Sequence, residues 1–559
     1  MNEKILTPLL LWEHYNPVKE KFDLTFKRQY VVDGIKIREC YFTVKTLADG
    51  KIRGYMAMAI PSDVGKTELS GEKAKFPAVI TVEDIDDDPD LDKAIKTAKS
   101  GAVGVIVDYS GKRAKKTGFT SYPDSLKYCN VVENDSRIWR VDENIQEATW
   151  YVWAQVLRRA LSVLCSQTFI DKDKIALIGK GYATTLAWQV GTMDGRISAM
   201  IAVNGAGWNG YGEKMKYAES DELSRWLVGI AAQAYIPFVH CPTLIIAPTN
   251  SVVTNFEKLF ENISYISNKN KVDFICIPNQ RGQIDKQSAD NIEYWLKLWY
   301  GGLKYPKTPE IKFKNKDKGF VLEGKCDISE LRVKSAEFYY AYGEKNSSLR
   351  QWHKSTCFEK ESGEYVSEEI EYIDNTENVY AFMNIEYDKE ILVSSRELII
   401  PPNKDTDMNV VRRKRKIYAK NHNFDEFISC DLKSNTSGNR VELKIGDKDI
   451  EGISVSGGNL ESCIFSDSRY RGIGDSILQF DVCAKTGTKI TVSLFAEENG
   501  EEMEYTSTKT VSSDNWEKFS FSPADFKNKD LISLKEWNDV KKISFIDAKD
   551  YIINNILWI

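Results

Sequence analysis

An α/β amino-terminal half with a mostly parallel sheet, followed by two all-β sandwiches, is the architecture the sequence predicts, and three observations predict it. Over residues 1–301 short β-branched apolar runs alternate with longer helical patterns, as parallel strands flanked by helices do. After Gly301-Gly302 and the segment Tyr305-Pro306-Lys307-Thr308-Pro309, the texture turns to alternating strands with polar turns and runs to Pro402. From Ile417 a second all-β stretch begins, and its about 140 residues suit one sandwich or jelly roll. The expected domains are therefore 1–301, 309–402 and 417–559.

In chain order, the runs Phe76–Val82, Gly104–Asp108, Ile175–Ile178, Ala199–Val203, Thr243–Ala247 and Val272–Ile277 are short, continuous and β-branched, as strands buried on both faces are. Helical patterns fill Leu91–Ser100, Ala148–Cys165, Tyr182–Gly191 and Ser288–Tyr300. In the last stretch, period-two alternation predicts strands with Leu478, Phe480 and Val482 on one face, then Ile490, Val492 and Leu494, then Phe519 and Phe521. It also predicts a closing strand with Ile552, Asn554, Ile556 and Trp558 on one face. The middle stretch carries Tyr339-Tyr340 and Arg350-Gln351-Trp352, with no ligand implied.

With 559 residues, 42% hydrophobic and 11% aromatic, the chain has the composition of an ordinary globular protein and is long enough for several cores. A net charge of -6 supplies no broad basic field, which argues against nucleic acid as a partner. The one basic run, Arg412 to Lys416, reads as a solvated linker rather than an anionic docking strip. Ten cysteines stand singly at 40, 129, 165, 241, 276, 326, 357, 430, 463 and 483, without C-x-x-C or metal-ligand spacing. They read as buried thiols of a reducing compartment, with no metal and no cofactor implied. The run Ile5–Trp12 is too short and proline-broken for a signal peptide, and no stretch approaches a membrane span. The expectation is cytoplasmic synthesis, with any release by an unconventional route.

The chemistry should lie at Lys174–Trp188, where a buried strand meets a tight small-residue turn and a helix. A nucleophile elbow needs glycines because its turn is sharp and its nucleophile sits in a strained conformation. Here the turn reads Gly179-Lys180-Gly181-Tyr182-Ala183, so Gly181 stands where a serine would attack. Glycine accepts the positive φ and supplies no attacking atom.

With Tyr122-Pro123 ahead of Tyr128-x-Asn130, the helix Trp150-Tyr151-Val152-Trp153 with Arg158-Arg159, Met193-Asp194-Gly195-Arg196 and Asn204 to Trp208, the chain resembles an α/β-hydrolase branch. That branch contains cephalosporin C deacetylases, acetyl xylan esterases and dienelactone hydrolase-like proteins, and the resemblance covers most of residues 30–300. It implies an α/β-hydrolase fold, a catalytic acid after Thr243–Ala247 and a catalytic histidine after Val272–Ile277. The segments there read Pro248-Thr249-Asn250-Ser251-Val252 and Pro278-Asn279-Gln280-Arg281-Gly282-Gln283, which puts Ser251 at the acid position and Gly282, or a neighbour, at the histidine position. Only four histidines exist. His14 precedes the fold, His353 and His422 lie in the later stretches, and His240 precedes its strand at the edge opposite the catalytic loops. The loop after Phe76–Val82 should donate an N–H to an oxyanion hole, yet it reads Glu83-Asp84-Ile85-Asp86-Asp87-Asp88-Pro89-Asp90, whose carboxylates would oppose a developing oxyanion.

Other motifs weigh less. The acidic run lacks the spacing and glycine of a calcium loop and reads as an exposed loop. Gly65-Lys66-Thr67 has Ile60 where a phosphate-binding loop needs its first glycine. Lys180, next to a helix start, reads as solvated rather than as an anion ligand. Asp514 to Phe521 and the closing strand resemble carbohydrate-binding modules of the galactose-binding-like type. The glycan-binding candidates are Tyr470, Arg471 and Trp516; Trp516 and Trp558 alternate with apolar neighbours and read as core, while Tyr470 and Arg471, in a loop-like segment, are better exposed. The functional expectation is a hydrolase-like domain without its catalytic set, serving glycan binding or assembly with protein neighbours. The alternative is an active carbohydrate or small-ester esterase using an unrecognised nucleophile such as Thr184 or Thr185.

Overall fold

The computed structural model describes residues 7–62, 75–85, 87–112, 118–132, 137–205, 220–266, 272–282, 284–373, 377–403, 413–419, 427–430, 441–498 and 501–559. Gly65-Lys66-Thr67, Asp86, Ala206 to Trp208, Gln283, Arg412 and His422 lie outside the described residues, as does the side chain of Cys430. The chain divides into two compact units, one of Met1–Ala247, Val252–Phe274 and Ile292–Tyr305, the other of Pro248–Ser251, Ile275–Asn291 and Pro306–Ile559.

The first unit is built on a nine-stranded sheet. Its strands are β1 (Thr25–Val32), β2 (Ile35–Leu47), β3 (Gly50–Ile60), β4 (Phe76–Val82), β5 (Val103–Asp108), β6 (Ile170–Lys180), β7 (Ala199–Val203), β8 (Thr243–Pro248) and β9 (Val272–Ile277). They lie in the order β1-β2-β3-β5-β4-β6-β7-β8-β9. The first three strands form an antiparallel meander, β3 pairs antiparallel with β5, and from β5 through β4, β6 and β7 to β8 the pairing is parallel. Helices α1 (Pro8–Trp12), α2 (Leu91–Lys99), α3 (Thr149–Cys165), α4 (Thr184–Met193), α5 (Ser220–Gly229), α6 (Ala232–Tyr235), α7 (Phe256–Ser264) and α8 (Lys286–Gly301) accompany it. The expected parallel strands and their crossover helices are present, with ends moved by a few residues.

The antiparallel meander of β1, β2 and β3 is an addition to the sequence reading. Its two turns carry Asp33-Gly34 and Asp49-Gly50, and at the first of them both residues have positive φ, as a tight hairpin turn of this hand requires. α3 is buried on every side from Thr149 to Leu164, so it is a core helix rather than an amphipathic one. Its Arg159 is accommodated because the guanidinium donates to the carbonyls of Pro17, Glu20 and Thr43. Arg158 and Arg196 share the carboxylate of Asp194, at 3.2 and 2.7 Å. Burial works against that carboxylate, but the Arg196 and Arg158 guanidiniums outweigh it and hold its pKa below the ordinary value.

Residues 310–400 of the second unit form two five-stranded antiparallel sheets, one led by Glu310–Asn315 and Gly319–Lys325, the other centred on Val333–Tyr342 and Val379–Tyr387. Residues 416–558 form a six-stranded and a five-stranded sheet whose inward side chains share one core; Phe480 of one meets Phe545 of the other with ring centroids 5.1 Å apart. The expected inward sets 478/480/482, 490/492/494 and 519/521 are buried. The closing strand, Tyr551–Trp558, differs from the uniform alternation expected of it. Tyr551 and Ile553 face inward, an extra residue is inserted around Asn554-Asn555, where Asn555 has φ 48°, and Ile556 and Trp558 resume the inward face. A β-bulge shifts the alternation by one residue, which a strict period of two cannot anticipate.

Six of the nine cysteines with described side chains are buried and three half-buried, all as free thiols; burial pushes the Cys40 thiol up to about 12. Among the described residues no helix is long and apolar enough to cross a membrane.

Candidate functional site

At the carboxyl end of β6 the chain makes a tight turn, Gly181–Ala183, and enters α4. Gly181 has φ 54°, the left-handed conformation that a nucleophile elbow imposes. Two neighbouring glycines let the turn close: a Cβ on Gly179 would stand 2.6 Å from the Ala187 Cβ, and one on Gly205 would overlap the Thr184 hydroxyl. That hydroxyl donates to the Gly181 carbonyl at 2.7 Å, and Thr184 and Thr185 are buried at 1% and 0% exposure. Both threonines are buried at the start of α4.

The loop after β4 departs most from expectation. Its acidic run is expected to repel an oxyanion, but Asp84 turns inward, is 4% exposed, and its Oδ1 accepts from the Tyr182 N–H at 3.0 Å and the Ile85 N–H at 2.7 Å. Tyr182 follows Gly181 in the turn before α4, and Ile85 lies on the loop after β4, so two main-chain donors from separate segments converge on one carboxylate oxygen. A carboxylate of the chain itself is bonded to both. A Cβ at residue 181 would overlap Asp84 Oδ2, so the two positions exclude each other's side chains.

Glu83, also buried, lies between two lysines: Lys180 at 3.0 Å and Lys93 at 3.2 Å. Lys180 is therefore paired rather than solvated. Burial, opposed by the Glu83 carboxylate, holds the Lys180 ammonium below the ordinary lysine range. Asp90 caps α2 through the Asp92 and Lys93 N–H groups. Among the described residues no group of histidine, cysteine or carboxylate side chains could hold a metal ion.

Ser251 and Gly282 follow β8 and β9. Ser251 is buried at 4% exposure in a turn closed by its N–H on the Pro248 carbonyl, and Gly282 is half-buried. Their neighbours are engaged within the second unit. Asn250 Nδ2 donates to the Ser348 and Arg350 carbonyls at 3.2 and 2.6 Å, and Asn279 makes a reciprocal pair with the Trp352 main chain, both bonds 2.9 Å. Arg281 stands 3.4 Å from the buried Glu461. The loops at the expected acid and histidine positions thus grip the segment 348–352. His240 Nε2 is 3.2 Å from the Ile197 carbonyl, just ahead of β8 at the amino end of that strand. His353 pairs with Asp467 at 3.1 Å in the second unit.

The exposure expected of Tyr470 and Arg471 is corrected. Tyr470 is 7% exposed, stacks on His353 and takes a hydrogen bond from Lys414 on its hydroxyl, while the Arg471 guanidinium donates to the Phe465 and Ser466 carbonyls. The loop-like segment around them folds as two short helical turns against the core, a conformation its polar composition conceals. Trp558 is core, at 6% exposure; Trp516 is half-buried, its indole N–H donating to the Asp447 carbonyl at 2.9 Å. The basic residues Arg413 to Lys416 are exposed but not a loose linker: the Lys414 and Arg413 donors meet the Arg469 and Ser468 carbonyls, and Arg415 accepts from the Trp558 N–H.

No family model matches the chain, and no curated protein matches it. Similar solved structures include acetyl xylan esterase 1 from Thermoanaerobacterium sp., 12% identical, covering 50% of this chain and 89% of that one at a TM-score of 0.37. An acetyl xylan esterase from Paenibacillus sp. is 11% identical over 53% of this chain and 96% of its own, at a TM-score of 0.39. The glucuronoyl esterase from Solibacter usitatus is 10% identical over 53% and 91%, at 0.36.

Proposed function

We propose that the first unit is an α/β-hydrolase-like scaffold that does not turn over esters, and that the protein works as a binding or assembly component through its β-rich half. The observation that carries this reading is the mutual exclusion of Gly181 and Asp84: the nucleophile position has no side chain, and the carboxylate beside it occupies the main-chain donors that would stabilise an oxyanion. The engagement of Asn250 and Asn279 with residues 348–352 supports it, because loops that hold a neighbouring segment are not available to position an acid and a base. The internal bonds of Tyr470 and Arg471 count against a glycan held by these two side chains.

The test is hydrolysis of 4-nitrophenyl acetate and acetylated xylo-oligosaccharide by the full chain, beside the variant Asp84→Gly, Gly181→Ser, Gly282→His. The wild type should give no turnover above buffer. Wild-type turnover that disappears on substituting a named side chain such as Lys180→Met would overturn the reading and restore an esterase with an unrecognised nucleophile.

A further inference from the structure

We propose that the strand Val441–Ile445 is a pairing edge, and that a second copy of this chain docks on it by antiparallel main-chain pairing of the two strands. This strand ends its six-stranded sheet, with Glu451–Val455 on one side and, among the described residues, no strand on the other. The Gly446 N–H donates to the Ile450 carbonyl at 2.8 Å and closes the hairpin. The alternation of an antiparallel ladder then turns the main-chain groups of Val441, Leu443 and Ile445 away from Glu451–Val455, toward the open edge. The same register places the side chains. Val441 and Leu443 stand opposite Val455 and Ile453, both fully buried, so Val441, Leu443 and Ile445 lie on the core face of the sheet. The core covers that face only at Val441, because Leu443 is 44% exposed and Ile445 69%.

Charge complementarity selects a second copy as the occupant. Val441-Glu442-Leu443-Lys444-Ile445 is symmetric in polarity about Leu443, with charges of opposite sign on its two sides. In an antiparallel pair centred on Leu443, that residue meets Leu443 of the second copy, Val441 meets Ile445 of the second copy, and Glu442 meets its Lys444. Each apolar pair exchanges two main-chain bonds, and the charge pairs fall at the non-bonded positions, where opposed side chains come closest. Centring on Glu442 or on Lys444 would oppose like charges, and a one-residue slip would set Leu443 against Glu442. Lys444 does not guard the edge, since its ammonium lies along the sheet, 3.2 Å from the Ser454 hydroxyl and 3.7 Å from Glu442. The edge strand Glu310–Asn315 makes the contrast: its Lys312 and Lys314 are exposed, and self-pairing about Phe313 would oppose lysine to lysine.

This inference rests on the assembly role proposed for the β-rich half, and it is read by mass rather than by turnover, so the two can fail separately. A strand this short buries less than a standard interface, which makes the dimer weak and concentration-dependent. Sedimentation velocity of the full-length wild type from about 1 to about 300 μM should show monomer passing to dimer. Glu442→Lys and Lys444→Glu each set like charges opposite one another twice across the pair, and each should weaken dimerisation about tenfold. Leu443→Lys should abolish it. An equimolar mixture of Glu442→Lys with Lys444→Glu sets lysine against glutamate again, and should dimerise within about twofold of the wild type. The double exchange Glu442→Lys, Lys444→Glu should do the same on its own. Melting at the lowest concentration, where all are monomers, should be alike for every variant, because the three side chains replaced are partly solvent-exposed. A wild type that stays monomeric throughout would overturn the proposal and leave the edge to an extended segment of another protein. So would a dimer indifferent to Leu443→Lys, or a mixture of the two charge variants no more dimeric than either alone.

Discussion

Gly181 and Asp84 are one structural decision made at two positions 97 residues apart. Gly181 has a positive φ, which costs a non-glycine residue about 1 kcal/mol, and it faces a carboxylate that leaves no room for a Cβ. Gly181→Ala in the wild-type background should therefore cost about 2–4 kcal/mol, the conformational share plus the overpacking share. In an Asp84→Gly background only the conformational share remains, about 1 kcal/mol, so the two substitutions should be non-additive by about 1–3 kcal/mol. Urea unfolding of the four proteins of the double-mutant cycle measures this; simple additivity would mean that the contact does not constrain the turn. The same pair sets the limit of inference from sequence at this scale. The glycine was legible because a strand, a tight turn and a helix surround it. The carboxylate was not, because an acidic run carries no sign of which member turns inward, and it is Asp84 that meets the Tyr182 N–H.

The continuous apolar strands were read from the sequence, whereas the half-buried meander and the late bulge were not. The continuous apolar runs of β4 to β9 depend only on burial on both faces. The meander of β1 to β3 is half-exposed and signalled by its Asp-Gly turns, a signal available in the sequence, whereas the Asn555 bulge depends on the register of the facing strand Leu478–Ala484. Asp273, inside β9, is a polar residue in a run otherwise read as a buried strand. It accepts from the Trp295 indole of α8 at 2.8 Å, and burial pushes its carboxyl up to about 6 despite that bond. A carboxyl whose folded pKa is raised favours folding below its unfolded value near 4, and that contribution is lost as pH rises through about 6. Asp273→Asn keeps an acceptor for Trp295 and has no charge to desolvate. It should exceed the wild type in stability by about 2 kcal/mol at pH 8 and converge with it below pH 4. Denaturant midpoints taken across this range check the sign; a constant offset at every pH would assign the effect to packing rather than ionisation.

At the scale of the molecule, composition predicted a boundary near residue 301, and that is where the chain passes from the helix α8 into β-rich sequence. Compactness divides the chain differently, because Pro248–Ser251 and Ile275–Asn291 group with Pro306–Ile559. The reason lies in side chains that no periodicity marks. Asn384 and Ser394 hydrogen-bond the main chain of Cys276 at 3.1 and 2.7 Å, and Asn291 pairs with the Glu390 carbonyl and the Leu392 N–H at 2.9 and 2.8 Å. Together with the grips of Asn250 and Asn279 on residues 348–352, these bonds give the polar groups at the ends of β8 and β9 partners from sequence far downstream. A fragment of residues 1–305 loses all of them at once. Each unpaired buried group costs about 1–3 kcal/mol, and water recovers part of that where the fragment newly exposes it. The fragment should therefore melt at least about 10 °C below the first transition of the full chain. Its hydrogen exchange should be fastest at 248–251 and 275–291, with slow exchange kept in β4 to β7, whose neighbours all lie within it. A fragment that melts with the full chain, and protects those two loops equally, would show that the downstream grips add nothing and that the boundary near 301 is the energetic one.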